Sequence, residues 1–99
     1  MYKIIIFGTG LYGKQALQFF TRENVMFWTD NKEDLHGKLI EGIEVIPPSE
    51  LKKYLNECVI VIAAKPEFFN QIKYQLNKEY GIEMALNYTF LKSYINDSG

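Results

Sequence analysis

Three glycines carry the strongest chemical signal in this chain. Gly8-Thr9-Gly10-Leu11-Tyr12-Gly13 is a G-x-G-x-x-G run lying between an apolar, β-branched stretch and a helical pattern. In such a turn Gly8 permits the tight reversal, Gly10 lets a phosphate approach the backbone, and Gly13 allows close helix–strand contact. The helix start then offers unpaired N–H groups and a partial positive charge to a pyrophosphate, so no charged side chain is needed. Lys14 beside it reads as a solvated surface lysine. With seven glycines in 99 residues, chance would produce the triple about 0.03 times. The whole span, Gly8, Thr9, Gly10, Leu11, Tyr12 and Gly13, is therefore the expected cofactor-binding turn. The alternative is a glycine corner that packs a βα unit and holds no ligand.

Asp30 stands 20 residues after Gly10, just past a second apolar run. A carboxylate there can accept hydrogen bonds from both hydroxyls of a ribose and repels a 2′-phosphate, which favours NAD over NADP. Asp30-Asn31 is also ordinary turn chemistry. Lys65 ends the central apolar run, where it is expected to face the same crevice and either meet a phosphate or point into water. Tyr12 and Trp28 are expected near the crevice mouth, within stacking reach of a base. His36, the single histidine, reads as a solvated loop residue, with a place lining the pocket as the sharper alternative. Cys58, the single cysteine, opens an apolar strand and reads as an inert buried thiol. One histidine and one cysteine supply neither a metal cluster nor a paired nucleophile, so no metal site and no catalytic residue is expected.

The elements that must position these residues follow from periodicity. Lys3 to Phe7 shows no apolar–polar alternation and reads as a strand covered on both faces. Residues 11 to 21 switch to helical spacing, with Gly13, Ala16, Leu17 and Phe20 on one stripe. Asn24 to Thr29 is a second strand, followed by a polar loop from Asn31 to Lys38. Leu39 to Val45 alternates around Gly42 as a short edge hairpin or one irregular strand. Pro47-Pro48-Ser49-Glu50 opens a short helix with Leu51, Tyr54 and Leu55 on its apolar face. Cys58 to Ala63 is the expected central strand. Pro66 to Tyr80 is the longest helix, with Phe69, Ile72, Leu76 and Tyr80 inward and Gly81 as its stop. Ile82 to Leu86 is a weak last strand. Tyr88 to Ile95 is a terminal helix whose Phe90, Leu91, Tyr94 and Ile95 cap the sheet or meet a second copy in a homodimer.

Strands alternating with helices give an α/β fold, three layers with a parallel sheet of about four strands, flanking helices and a short edge hairpin. Right-handed crossovers place strand 24–29 on one side of strand 3–7 and strand 58–63 on the other. The chain reverses direction beside the end of the first strand, the point where ligands bind in such sheets. Ninety-nine residues fit one domain over 1–99 and exclude a complete two-domain dehydrogenase. Eleven basic against twelve acidic residues give a net charge of −1, so neither nucleic acid nor an anionic membrane is an expected partner. A lone cysteine and no leader-like segment imply a reducing cytoplasm.

An ordered series of segments now resembles a known group. Phe-Gly-Thr-Gly-Leu-Tyr-Gly-Lys, Phe-Trp-Thr-Asp-Asn and His-Gly-Lys-Leu-Ile-Glu-Gly-Ile-Glu-Val-Ile-Pro-Pro-Ser-Glu-Leu are similar to the N-terminal Rossmann-like domain of bacterial sugar acyltransferases. Related domains occur in other polysaccharide-biosynthesis proteins. The resemblance implies that Gly8, Thr9 and Gly10 face the diphosphate of a UDP-sugar, with Asp30 and Asn31 near the nucleoside and Gly37 to Val45 flanking the pocket. Those enzymes acetylate through a hexapeptide-repeat β-helix that these 99 residues do not contain, so acetyl transfer is not carried over. The resemblance implies a UDP-sugar-binding module serving a catalytic transferase domain. An NAD-binding oxidoreductase or redox-sensing domain, and a non-binding remnant used for assembly, are the alternatives.

Overall fold

The computed structural model describes residues 2–98, with side chains through residue 94; the side chain of Ile95 lies outside the described residues. Six strands form one sheet: β1 (Lys3–Phe7), β2 (Val25–Thr29), β3 (Leu39–Ile40), β4 (Ile43–Ile46), β5 (Cys58–Ile62) and β6 (Leu86–Asn87). Their order is β3-β4-β2-β1-β5-β6. All neighbours are parallel except the β3–β4 pair. Helices α1 (Leu11–Phe20), α2 (Pro66–Tyr80) and α3 (Tyr88–Ser98) flank it, and shorter 3-10 turns fill the connections at residues 22–24, 33–35 and 48–54. This is the Rossmann-like α/β architecture expected from the sequence, with β2 and β5 on opposite sides of β1.

Two hydrophobic layers sandwich the sheet because strands buried on both faces send alternate residues to each. Ile5, Phe7, Ile60 and Ile62 meet Leu51 and Leu76 on one face. Ile6, Val61, Val45 and Trp28 meet Ala16 and Leu17 of α1 on the other. The inward stripe of α2 forms as its spacing predicts, with Phe69, Ile72, Leu76 and Tyr80 in the first layer. Gly81 ends α2 in the left-handed conformation at φ 68°. The Gly81 N–H donates to the Asn77 carbonyl at 2.9 Å and the Ile82 N–H to the Leu76 carbonyl at 3.0 Å, so a left-handed glycine cap satisfies carbonyls of the last turn.

Three elements differ from the periodicity reading. The hairpin is not an appendage: β4 pairs in parallel with β2, so it widens the sheet. Its two turn residues, Glu41 and Gly42, both have positive φ, 54° and 77°, as a tight hairpin with matching twist requires. The last strand is Leu86–Asn87 and not Ile82 to Leu86. Ile82 and Ala85 both turn into the same hydrophobic layer, three residues apart, and that spacing breaks strand alternation. Trp28 is fully buried and is not at the crevice mouth. Its Nε1 donates to the Ile40 carbonyl at 2.9 Å, which ties the hairpin to the sheet.

The βα corner is held by backbone contacts that admit no side chain. Gly8 has φ 120°, and a Cβ there would stand 2.4 Å from the Ala63 carbonyl oxygen. A Cβ on Gly13 would stand 2.0 Å from the Gly8 carbonyl oxygen and 3.2 Å from Trp28 Cζ3. Overpacking of this kind costs about 1–3 kcal/mol. Gly13→Ala is expected to lower the melting temperature by roughly 5 °C or more; an unchanged melt shows that the corner can relax.

Cys58 is buried, with its thiol 3.5 Å from Met26 Sδ. Burial pushes its pKa up, with the Glu57 carboxylate adding to the rise and Lys3 opposing it. Burial likewise raises the Tyr88 phenol. The folded state holds both protons more tightly than the unfolded chain. Their stabilisation is therefore complete below the ordinary thiol and phenol values, about 8.5 and 10, and is lost as pH rises past them. Melting temperature should fall above about pH 8.5 in a circular-dichroism pH series; a rise through that window contradicts the assignment.

Candidate functional site

The carboxyl ends of β1, β2 and β5 converge on Gly8. Its N–H donates to the Thr29 carbonyl at 2.9 Å, and the Ala63 N–H donates to the Phe7 carbonyl at 2.9 Å. The chain reverses here between β2 and β5, and a cleft of about 450 Å3 opens along the glycine turn. That volume lies within the range of small-molecule pockets. The sequence-derived residues Gly8, Thr9, Gly10, Leu11, Tyr12, Asp30, Asn31 and Lys65 all line it. Gly13 does not: it is buried beneath the turn as the packing glycine.

Gly10 differs from its two companions. It is the N-cap of α1, with φ −82°, a backbone open to any residue. A Cβ there would meet no atom within 4 Å. The fold thus requires glycine at 8 and 13, and leaves open space at 10. No side chain caps this helix end, and its first turn holds no acidic residue. The first-turn N–H groups of Leu11, Tyr12 and Gly13 have no intrahelical acceptor, so the positive end of the helix dipole remains uncompensated.

Asp30 is more heavily engaged than a free ribose acceptor. Its Oδ2 accepts from the Thr9 N–H at 3.1 Å and from the Thr9 hydroxyl at 2.9 Å. Its Oδ1 accepts from the Lys32 N–H at 3.0 Å. Asp30 therefore clasps the glycine turn to the end of β2 and also shapes the turn that follows. The His36 ring donates through Nε2 to the Asp30 carbonyl at 2.7 Å. His36 lines a neighbouring polar cavity of about 420 Å3 with Pro47, Ser49 and Tyr80, not the glycine-turn cleft.

Asn31 is also committed. Its carboxamide pairs with that of Gln75 on α2, Nδ2 to Oε1 at 2.9 Å and Nε2 to Oδ1 at 2.7 Å. The pair fastens the loop after β2 to α2. Lys65 is the N-cap of α2, exposed at the cleft, with its carbonyl accepting from the Phe68 N–H at 2.9 Å. Tyr12 is half-buried against the α1 layer while lining the cleft.

Phe68 and Ile72 supply an apolar wall that sequence reasoning missed. Phe68 is 44% exposed, one position off the Phe69 stripe. An aromatic left out of the core stripe in the first turn after a central strand was the available signal. The sequence also holds Tyr-x-x-x-Lys twice, at Tyr74–Lys78 and Tyr88–Lys92, and none of the four residues lines the cleft. Lys78 sits 5.5 Å over the Tyr74 ring, and Tyr88 is buried in the α1 layer. Among the described residues no helix is long and apolar enough to cross a membrane.

Comparison with solved structures shows where this fold recurs. The chain matches UDP-D-quinovosamine 4-dehydrogenase from Vibrio fischeri with a TM-score of 0.66 at 17% identity, over 98% of this chain and 85% of that one. It matches RSP, a Rex-family repressor, with a TM-score of 0.62 at 17% identity, over 98% of this chain and 57% of that one. RSP in complex with β-NAD+ and operator DNA gives 0.61 at 18% identity, over 98% and 55%. The chain thus spans a little more than half the length of the Rex-family chains. These likenesses establish the fold. They also correct the exclusion of nucleic acid drawn from charge: RSP, which shares this fold, is described in complex with operator DNA. No curated protein matches the chain. Residues 1–85 match the model of the C2185-like N-terminal domain, and the chain belongs to that family.

Proposed function

We propose that residues 1–99 act as one nucleotide-binding module whose ligand is NAD(H). The observation that carries this is Gly10, a glycine that packing does not need, placed at an uncapped helix start in a 450 Å3 cleft. A pyrophosphate would occupy that open space and accept from the first-turn N–H groups. Gly8, Thr9 and Gly10 would follow the diphosphate, with Leu11 and Tyr12 at its flank. Asp30 would take a ribose hydroxyl, Asn31 would border the nucleoside, and Lys65 would add positive charge at the rim. Phe68 and Ile72 offer the apolar face that a base requires. RSP, a neighbour in fold, is described with both β-NAD+ and β-NADH, which supports the nicotinamide dinucleotide over other nucleotides.

A second reading has support of its own. The Vibrio fischeri neighbour is named for a UDP-sugar, and the acyltransferase resemblance implies UDP-sugar recognition for a transferase in surface-sugar biosynthesis. Both ligands place a diphosphate at the same turn. In either case the module supplies recognition, and a partner domain supplies the chemistry.

NADH fluorescence and calorimetric titrations with NAD+, NADP+ and UDP-sugars separate the readings. NAD(H) should bind tightest, with NADP+ weakened by the Asp30 carboxylate. Tighter UDP-sugar binding installs the second reading, and no binding of any of them removes both. Gly10→Ala should weaken NADH about tenfold or more while costing at most about 1 kcal/mol of helix capping.

A further inference from the structure

The hydrogen bonds at Asp30 bear on which part of a nucleotide the cleft can read, given that it binds one. An ionised carboxylate offers about four lone-pair positions and no donor. Both positions on Oδ2 are taken by Thr9, one by its N–H and one by its hydroxyl, at 3.1 and 2.9 Å. One position on Oδ1 is taken by the Lys32 N–H at 3.0 Å. A single position on Oδ1 remains. A ribose brings two adjacent hydroxyls, and both need acceptors if both are to be read.

Of the three donors already in place, two are main-chain N–H groups fixed by the turn. The Thr9 hydroxyl is the third, and it is not free to leave. Thr9 is only 8% exposed, so a hydroxyl rotated off Asp30 would lie buried without a partner, which is costly.

We infer that Thr9 is a specificity-determining residue, whose hydroxyl restricts Asp30 to one of the two ribose hydroxyls of the bound nucleotide. The inference rests on the nucleotide-binding reading above. It makes the site tolerant of a nucleoside lacking one hydroxyl, a tolerance that a fully open carboxylate would not show. Thr9→Val keeps the shape, removes the donor and opens a second lone pair on Asp30. Thr9→Ala does the same with less bulk, and Thr9→Ser retains the donor.

The test is calorimetry with NAD+ and its adenosine 2′-deoxy and 3′-deoxy analogues against the wild type and the three variants. A hydrogen bond to a charged group is worth about tenfold or more in Kd. The wild type and Thr9→Ser should lose about tenfold with one analogue and stay within about threefold with the other. Thr9→Val and Thr9→Ala should lose about tenfold with both. The comparison is between ligands within each variant, so a general loosening of the turn does not imitate the result, and either of the two hydroxyl-deleting variants suffices. A wild type that loses tenfold with both analogues overturns the inference, as does a folded hydroxyl-deleted variant that still tolerates one. No NAD+ binding by the wild type fails the NAD(H) reading on which the inference rests, and this inference falls with it.

Discussion

The cleft depends on one steric constraint: three stretches of backbone meet at Gly8 with no room for a side chain. The β1–α1 reversal brings Gly8 against the Ala63 carbonyl at the end of β5, and brings Gly13 against Gly8 itself. The Gly8 N–H is bonded to Thr29 at the end of β2. The carboxyl ends of the three central strands are therefore fixed to one another through a single residue. The direction of α1, and hence where its N-terminal N–H groups point, follows from that corner. An anion site made of main-chain donors needs this rigidity, since no flexible side chain can correct a misplaced helix.

The same corner sets a negative charge close to a site suited to anions. Asp30 lies on the cleft wall, yet two of its three hydrogen bonds go to Thr9 inside the glycine turn. The carboxylate is thus drawn toward the turn that it braces, and its charge is met by main-chain dipoles. Lys32 and Lys65 line the same cleft. No ion pair is needed for this arrangement. The Asp30 clasp also explains how a polar loop is ordered right after β2. With Lys32 held by the side chain and His36 by the main chain of Asp30, residues 30–36 fold around one residue.

Much of this was legible in the sequence, and the reasons for the misses are physical. Strands β1 and β5 are unbroken apolar runs because both of their faces are covered, and such runs announce themselves. Gly8 and Gly13 could be assigned packing duties from spacing alone. What spacing could not show is that Gly10 alone lacks a packing reason, since that is a statement about empty space. Asp30 is legible as a ribose acceptor or a turn residue, but composition does not reveal that Thr9, 21 positions earlier, donates to it twice. Trp28 is expected at the mouth from its place near the end of the second strand, two residues before the cleft-lining Asp30. A register shift between Val25 and Phe27 interrupts the alternation, and Trp28 packs on the α1 side, where it fastens the hairpin. Asn31 and Gln75 are 44 positions apart, and no local pattern links two exposed amides.

Fold and cleft draw on the same few contacts, and this couples them. Gly8, Thr9 and Asp30 hold the strand ends together and also line the cavity; Asn31 lines it while tying α2 to the loop through Gln75. A ligand seated there would touch groups that brace the structure, so its binding free energy would add directly to the stability of the folded state. In a chain of 99 residues, where the margin of stability is small, that addition is a large fraction of the whole. The two hydrophobic layers act differently. Strand residues deep within them, such as Ile5, Ile60 and Val61, do not line the cavity, whereas Phe7 at the end of β1 belongs both to a layer and to the lining. Changes at those deep positions would loosen the sheet without reshaping the cleft wall, whereas a side chain at Gly10 would enter the cleft with little effect on the sheet. The architecture therefore separates Gly10, which packing does not require, from a surrounding set that both braces the fold and lines the cleft.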